Sequence, residues 1–216
     1  MTGDAALREL DAIVGPAEAT KGGWLGPAYD EMVRWLDSLS PAERDAAVAE
    51  LPRWLADDTA WHAEAALALT ERLRSPDLFD AAVARARELG VHDSDDDRRE
   101  PWESFHRHLI PRIASCAISP SAVEYLDELA DQAPWATSRS RRSVALAAWF
   151  ARCFMRAGPR ERPCVEQGLE LLRASGDDDL RAELVSFLSA LYRTMPRRRR
   201  AVEALLTPAE RARFNW

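Results

Sequence analysis

Leu180-Arg181-Ala182-Glu183-Leu184-Val185-Ser186-Phe187-Leu188-Ser189-Ala190-Leu191-Tyr192-Arg193-Thr194-Met195 is the stretch on which the fold class rests. Leu180, Leu184, Val185, Phe187, Leu188, Leu191, Tyr192 and Met195 recur at the helical period, while Arg181, Glu183, Ser186, Ser189 and Arg193 fall mostly on the other side. Such a stripe needs a second helix to cover it. Trp61, Ala65, Leu69 and Leu73 form another stripe, and Trp102, Phe105, Leu109, Ile113 and Cys116 a third. No run of alternating β-branched or aromatic residues stands between turn signals, so the sequence predicts an all-α protein without a sheet.

Helix ends are written in caps. Ser40-Pro41-Ala42-Glu43 supplies an N-cap hydroxyl, a proline where no amide hydrogen is needed, and a glutamate that reaches back to the cap; Thr207-Pro208-Ala209-Glu210 repeats the arrangement. Ser75-Pro76-Asp77 and Ser119-Pro120 are similar starts, and Asp177 to Asp179 place negative charge at the positive end of the next helix dipole. Gly90, Gly158 and Gly176 mark stops. Pro52 and Pro111 fall inside periodic segments and are expected to kink or split them. These signals predict helices near 4–14, 28–39, 41–56, 59–74, 77–89, 101–118, 120–132, 138–157, 163–174, 178–194 and 197–206, with a short turn after Pro208. After the first helix they group into five pairs at a spacing of roughly 35–50 residues, which is typical of helical repeats.

The stretch from Glu64 to Val83, with an alanine-rich first helix, a tight turn at Arg74-Ser75-Pro76 and a second helix containing Val83, resembles a HEAT-type repeat. Ser143 to Leu172 is similar, with a longer turn. The resemblance implies an armadillo-like α-solenoid: a short right-handed stack of about five antiparallel helix pairs, a class used mainly to bind other macromolecules. Elsewhere the repeat pattern is missing and the spacing irregular, so a compact helical bundle is the alternative fold. The expected organisation is one all-helical domain over residues 1–216, with an N-terminal helix and Gly-rich loop in 1–26, an acidic half in 27–99 and a basic half in 100–216.

Composition bounds the function. Hydrophobic residues at 47% and charged residues at 30% describe a folded globular chain. The beginning, Met1-Thr2-Gly3-Asp4, lacks a basic segment leading into an apolar one, so no secretory signal is expected. Val144 to Met155, the longest nearly apolar run, contains Arg152 and falls well short of the roughly 20 residues of a membrane span; it reads as a buried helix. Cys116, Cys153 and Cys164 are odd in number, widely spaced and never in a Cys-x-x-Cys pair, which predicts reduced thiols in a cytoplasmic protein rather than a disulfide framework or zinc site. Residues 1–100 carry a net charge of −11 and residues 101–216 one of +4, an asymmetry able to orient a charged partner.

Four constellations invite a chemical reading. Glu103 and His106 form a Glu-x-x-His step, the half-motif of helical-bundle metal sites; without a second copy it reads as a structural histidine beside Trp102 and Phe105. Asp93-Ser94-Asp95-Asp96-Asp97 opens like a calcium loop, but Arg98 and Ser104 occupy the positions that require glycine and glutamate. Lys21-Gly22-Gly23-Trp24-Leu25-Gly26-Pro27 displays Trp24 between helices without a phosphate-loop spacing. Finally, Arg139, Arg141 and Arg142, and again Arg197, Arg198, Arg199 and Arg200, begin two helices, where positive charge opposes the dipole unless an acidic partner is near.

These arginines, with Trp24, Trp102, Glu103 and His106, are the candidate binding residues; no catalytic residue, cofactor or metal is expected. The expectation is a non-enzymatic protein–protein interaction module, an adaptor, inhibitor or immunity-type partner, contacting another and possibly acidic protein and no membrane. One alternative is an enzyme or small-molecule binder with Glu103 and His106 in a groove. Another is a binder of nucleic-acid backbone through the arginines, which the isoelectric point near 5.2 opposes.

Overall fold

A computed structural model of the chain describes residues 3–18, 26–57, 60–90 and 101–214. Among the described residues every regular element is an α-helix: α1 (Gly3–Glu18), α2 (Gly26–Ser38), α3 (Pro41–Leu55), α4 (Ala60–Leu73), α5 (Pro76–Glu88), α6 (Pro101–Cys116), α7 (Pro120–Asp131), α8 (Arg139–Met155), α9 (Glu161–Ala174), α10 (Asp178–Tyr192), α11 (Pro196–Glu203) and α12 (Pro208–Phe214). The all-α expectation holds, and the helices fall where the periodic segments predicted them. The acidic run from Asp93 to Asp97 and the Trp24 loop lie outside the described residues.

The boundaries follow from local chemistry. At the start of α3 the Glu43 N–H donates to Ser40 Oγ (3.4 Å) and the Ser40 N–H to Glu43 Oε2 (3.1 Å), closing the reciprocal cap. Thr207 and Glu210 do the same for α12, at 3.3 and 2.9 Å. Ser75, Ser119 and Asp177 each accept an amide hydrogen at the start of α5, α7 and α10. Gly90, Gly158 and Gly176 all take positive φ, the left-handed conformation that ends a helix without a Cβ penalty. The two internal prolines do not split their helices: α3 runs through Pro52 to Leu55, and α6 through Pro111 to Cys116. An interior proline costs about 3 kcal/mol, and the burial of Leu51, Trp54 and Leu55 around the first and of Leu109, Ile110 and Ile113 around the second offsets it.

The chain divides into two compact units, Met1–Gly90 and Val91–Trp216. In the first, α1 packs on α2, α3 and α4, while α4 also packs on α2, α3 and α5. Helix α4 is therefore wrapped: every residue from Ala63 to Thr70 is buried. The expected single stripe is only part of its contact surface, because alanines at 63, 65, 66 and 68 let neighbouring backbones approach from several sides.

In the second unit each helix from α6 to α10 packs on the next, α10 packs on α11, and next-but-one contacts join α6 to α8, α8 to α10, α9 to α11 and α10 to α12. This pattern is compatible with stacked helix pairs. Its central element is α8, in which every residue from Ser143 to Cys153 is buried, as the apolar run predicted. The charge inside that run is matched: Arg152 pairs with Asp127 (3.7 Å) and Asp131, and its guanidinium lies 4.6 Å from the centre of the Trp149 ring.

One expectation about the cysteines is overturned. Cys153 and Cys164 are joined by a disulfide, with Cα atoms 5.5 Å apart, and Cys116 lies outside that bond. The bonded pair is 11 positions apart in sequence, but α8 ends and α9 begins between them, so the turn folds one helix back on the other and brings the two sulfurs together. Among the described residues no helix is long and apolar enough to cross a membrane.

Candidate functional site

Glu103 and His106 are both on α6, and both are consumed by the second unit's own packing. His106 is fully buried; its Nδ1 lies 2.7 Å from the Trp102 carbonyl oxygen and its Nε2 2.7 Å from the Tyr125 hydroxyl on α7. A carbonyl only accepts, so Nδ1 carries the hydrogen and Nε2 accepts the Tyr125 proton. Burial lowers the imidazole pKa from 6.5 to about 4, with the hydrogen bond to Trp102 working weakly the other way, so the ring is neutral at neutral pH. Trp102, itself buried, packs its indole 4.4 Å from the imidazole.

Glu103 accepts from Arg107 Nη2 (2.8 Å), one turn on, and from the Ser140 hydroxyl of α8 (2.8 Å). Arg107 also reaches Glu183 of α10, whose carboxylate takes the Ser143 hydroxyl hydrogen at 2.8 Å. One guanidinium, two carboxylates and two hydroxyls thereby tie α6, α8 and α10 together. Among the described residues no three His, Cys, Asp or Glu side chains converge in a way that could hold a metal ion.

The arginine clusters divide by position. Arg139 pairs with Asp177 at 3.2 Å, the carboxylate that also caps α10 and whose pKa is lowered because the Leu180 amide and Arg139 outweigh burial. Arg142 donates to the carbonyls of Ala136 (3.4 Å) and Thr137 (2.8 Å), while Arg141 is half-buried along α8. In the other cluster Arg198 pairs with Glu161 (2.8 Å) and lies over the rings of Phe154 and Tyr192. Arg199 donates to the Phe214 carbonyl at 2.9 Å. Arg197 and Arg200 are exposed, Arg200 beside Glu203 and Arg211 in a shallow cleft of about 290 Å³. The two clusters are thus partly structural, holding helix ends and the C-terminal helix.

The residue that stands apart was not among the candidates. Trp135 is 80% exposed, whereas Trp54, Trp102 and Trp149 are buried and Trp35 is half-buried with its indole N–H on Glu9 (3.1 Å). It sits on a turn held from both sides: the amides of Trp135 and Ala136 both donate to the Gln132 carbonyl at 2.9 Å, and Arg142 grips the two carbonyls that follow. The clue in the sequence is Ala133-Pro134-Trp135-Ala136, a tryptophan next to proline that falls on no apolar stripe. Compared with known proteins, the chain matches no protein-family model, no curated protein and no solved structure.

Proposed function

We propose that the chain is a non-enzymatic, HEAT-like helical protein that binds another protein through the turn before α8, with Trp135 as the anchor and Arg139 and Arg142 at its rim. The observation that carries the reading is the indole of Trp135, left almost wholly in water on a turn that is already ordered. A large apolar side chain gains about 1.5–3 kcal/mol on leaving water, and an anchor on a rigid turn loses little entropy when it docks. Tryptophan and arginine are the residues in which binding energy concentrates at protein interfaces.

The partner we propose offers an apolar slot for the indole within an acidic rim, matching the arginines and the basic balance of residues 101–216. Nucleic acid is not the proposed partner, because the isoelectric point is near 5.2 and, among the described residues of 101–216, Trp135 is exposed singly rather than within a row of exposed aromatic side chains. No cofactor enters the proposal, since Glu103 and His106 support packing. The Cys153–Cys164 bridge makes the location testable, because a compartment that keeps thiols reduced, such as the cytoplasm, leaves such a bond open. Quantifying these two thiols in protein trapped with an alkylating reagent as cells are lysed decides the point.

The main test is capture of partners from the native cell with the full chain and with Trp135→Ala. The expected result is one partner whose affinity drops at least about thirtyfold in the variant, the ratio that corresponds to about 2 kcal/mol. Equal binding by both chains, or micromolar binding of duplex DNA or RNA near physiological salt, refutes the reading.

A further inference from the structure

His62, in the first turn of α4, lies between two carboxylates. Its Nδ1 is 2.8 Å from Asp57 Oδ2, in the segment after α3, and its Nε2 is 2.9 Å from Asp11 Oδ1 on α1. The ring stacks on Trp54 with centroids 4.2 Å apart and planes 18° from parallel. An ionised carboxylate accepts hydrogen bonds and donates none, and a neutral imidazole carries one N–H, so only the imidazolium satisfies both contacts at once. We propose that Asp11, His62 and Asp57 form a protonation-controlled clamp, which fastens α1 to α4 while His62 is charged and loosens that contact when the ring loses its proton.

The surroundings fit this role. Burial alone works to lower the proton affinity of His62, but the hydrogen bonds and charges of Asp57 and Asp11 together outweigh it and raise the pKa above its ordinary 6.5. Loss of the proton leaves one carboxylate facing a bare ring nitrogen. Several charged groups on the elements packed around α4 have settings of their own. On α1, Glu9 accepts the Trp35 indole, while Arg8 lines a cleft of about 480 Å³ with Arg53 and Asp57. On α3, Glu50 pairs with Arg53; on α2, Asp37 pairs with Arg72; on α5, Arg85 pairs with Glu88.

The clamp closes over α1, whose buried residues Ala6, Leu10 and Val14 are its hold on the unit. A weaker clamp therefore means more frequent local opening of α1 rather than global unfolding. The test is amide hydrogen exchange on the full chain, corrected for the intrinsic pH dependence of exchange, with NMR titration of His62 alongside. Protection of the α1 amides is expected to fall as pH rises through the His62 midpoint, which lies above 6.5, and to level off on either side of it. His62→Gln should show the alkaline level throughout, and Asp11→Asn should move the His62 midpoint down with the fold intact. Should His62→Gln fail to fold, the Asp11→Asn titration decides. Overturning results are α1 protection that ignores pH in the native chain, a His62→Gln chain that keeps the native pH dependence, a His62 midpoint at or below 6.5, or a midpoint that Asp11→Asn leaves in place.

Discussion

Gly168 of α9 faces the indole of Trp149 on α8 so closely that a Cβ at 168 would lie 2.8 Å from Trp149 Cδ1 and 2.7 Å from Phe150 Cε1. The indole has no slack to yield, because its N–H donates to the Cys164 carbonyl at 2.9 Å, one turn earlier on the same helix. Gly168→Ala removes a helix-interior glycine, a gain of about 1 kcal/mol in propensity. Overpacking costs about 1–3 kcal/mol, and with both aromatic neighbours buried the second effect prevails. The urea midpoint is expected to fall; a midpoint at or above that of the native chain shows that α8 and α9 separate more easily than this packing implies.

His106 makes stability depend on acid in a known direction. Its folded-state pKa is about 4 against 6.5 when unfolded, so between these values the unfolded chain binds the extra proton and the folded chain does not. Stability is fully present above about pH 6.5 and declines as pH falls toward 4, by up to about 3 kcal/mol for a shift of this size. Denaturant unfolding at stepped pH, compared with His106→Gln, isolates the contribution, and Tyr125→Phe should cost about 1–3 kcal/mol by leaving Nε2 without its donor.

The Cys153–Cys164 bridge closes a short loop between two packed helices. Chain-entropy reasoning for a separation of 11 residues gives a stabilisation of about 3 kcal/mol. A phosphine reductant should therefore lower the melting temperature of the native chain and leave that of a Cys153→Ala/Cys164→Ala double variant unchanged. Identical melts of the native chain with and without reductant refute the contribution.

The exposed and the buried tryptophan should behave oppositely. Trp135→Ala is expected to change stability by less than about 0.5 kcal/mol, as surface substitutions do, whereas Trp149→Ala should cost about 3–5 kcal/mol. Chemical denaturation of both variants checks this, and a Trp135→Ala chain destabilised as much as Trp149→Ala would show that Trp135 packs within the fold rather than standing in solvent.

The helices were legible because what makes them acts over a few residues. Ser40 with Glu43, and Thr207 with Glu210, cap across one turn. Gly90, Gly158 and Gly176 end helices through their own backbone freedom, and the stripe from Leu180 to Tyr192 buries the side chains its period selected. Read as a structural residue beside Trp102, His106 lies in just that position, two of its contacts being to residues within four of it.

What the tertiary structure alone decided lies between residues far apart in the chain. Asp11 and His62 are 51 residues apart, Arg107 and Glu183 are 76 apart, and no local pattern pairs either set. Cys153 and Cys164 read as scattered thiols until the turn between α8 and α9 closed the distance. Arg139, Arg198 and Arg199 read as candidate contacts to another protein, and the fold supplied each with a partner of its own. Helix formation is set by neighbours within about four residues, so a sequence states it directly; burial and charge pairing are set by whichever helices fold back onto a residue, and those are chosen only when the whole core packs.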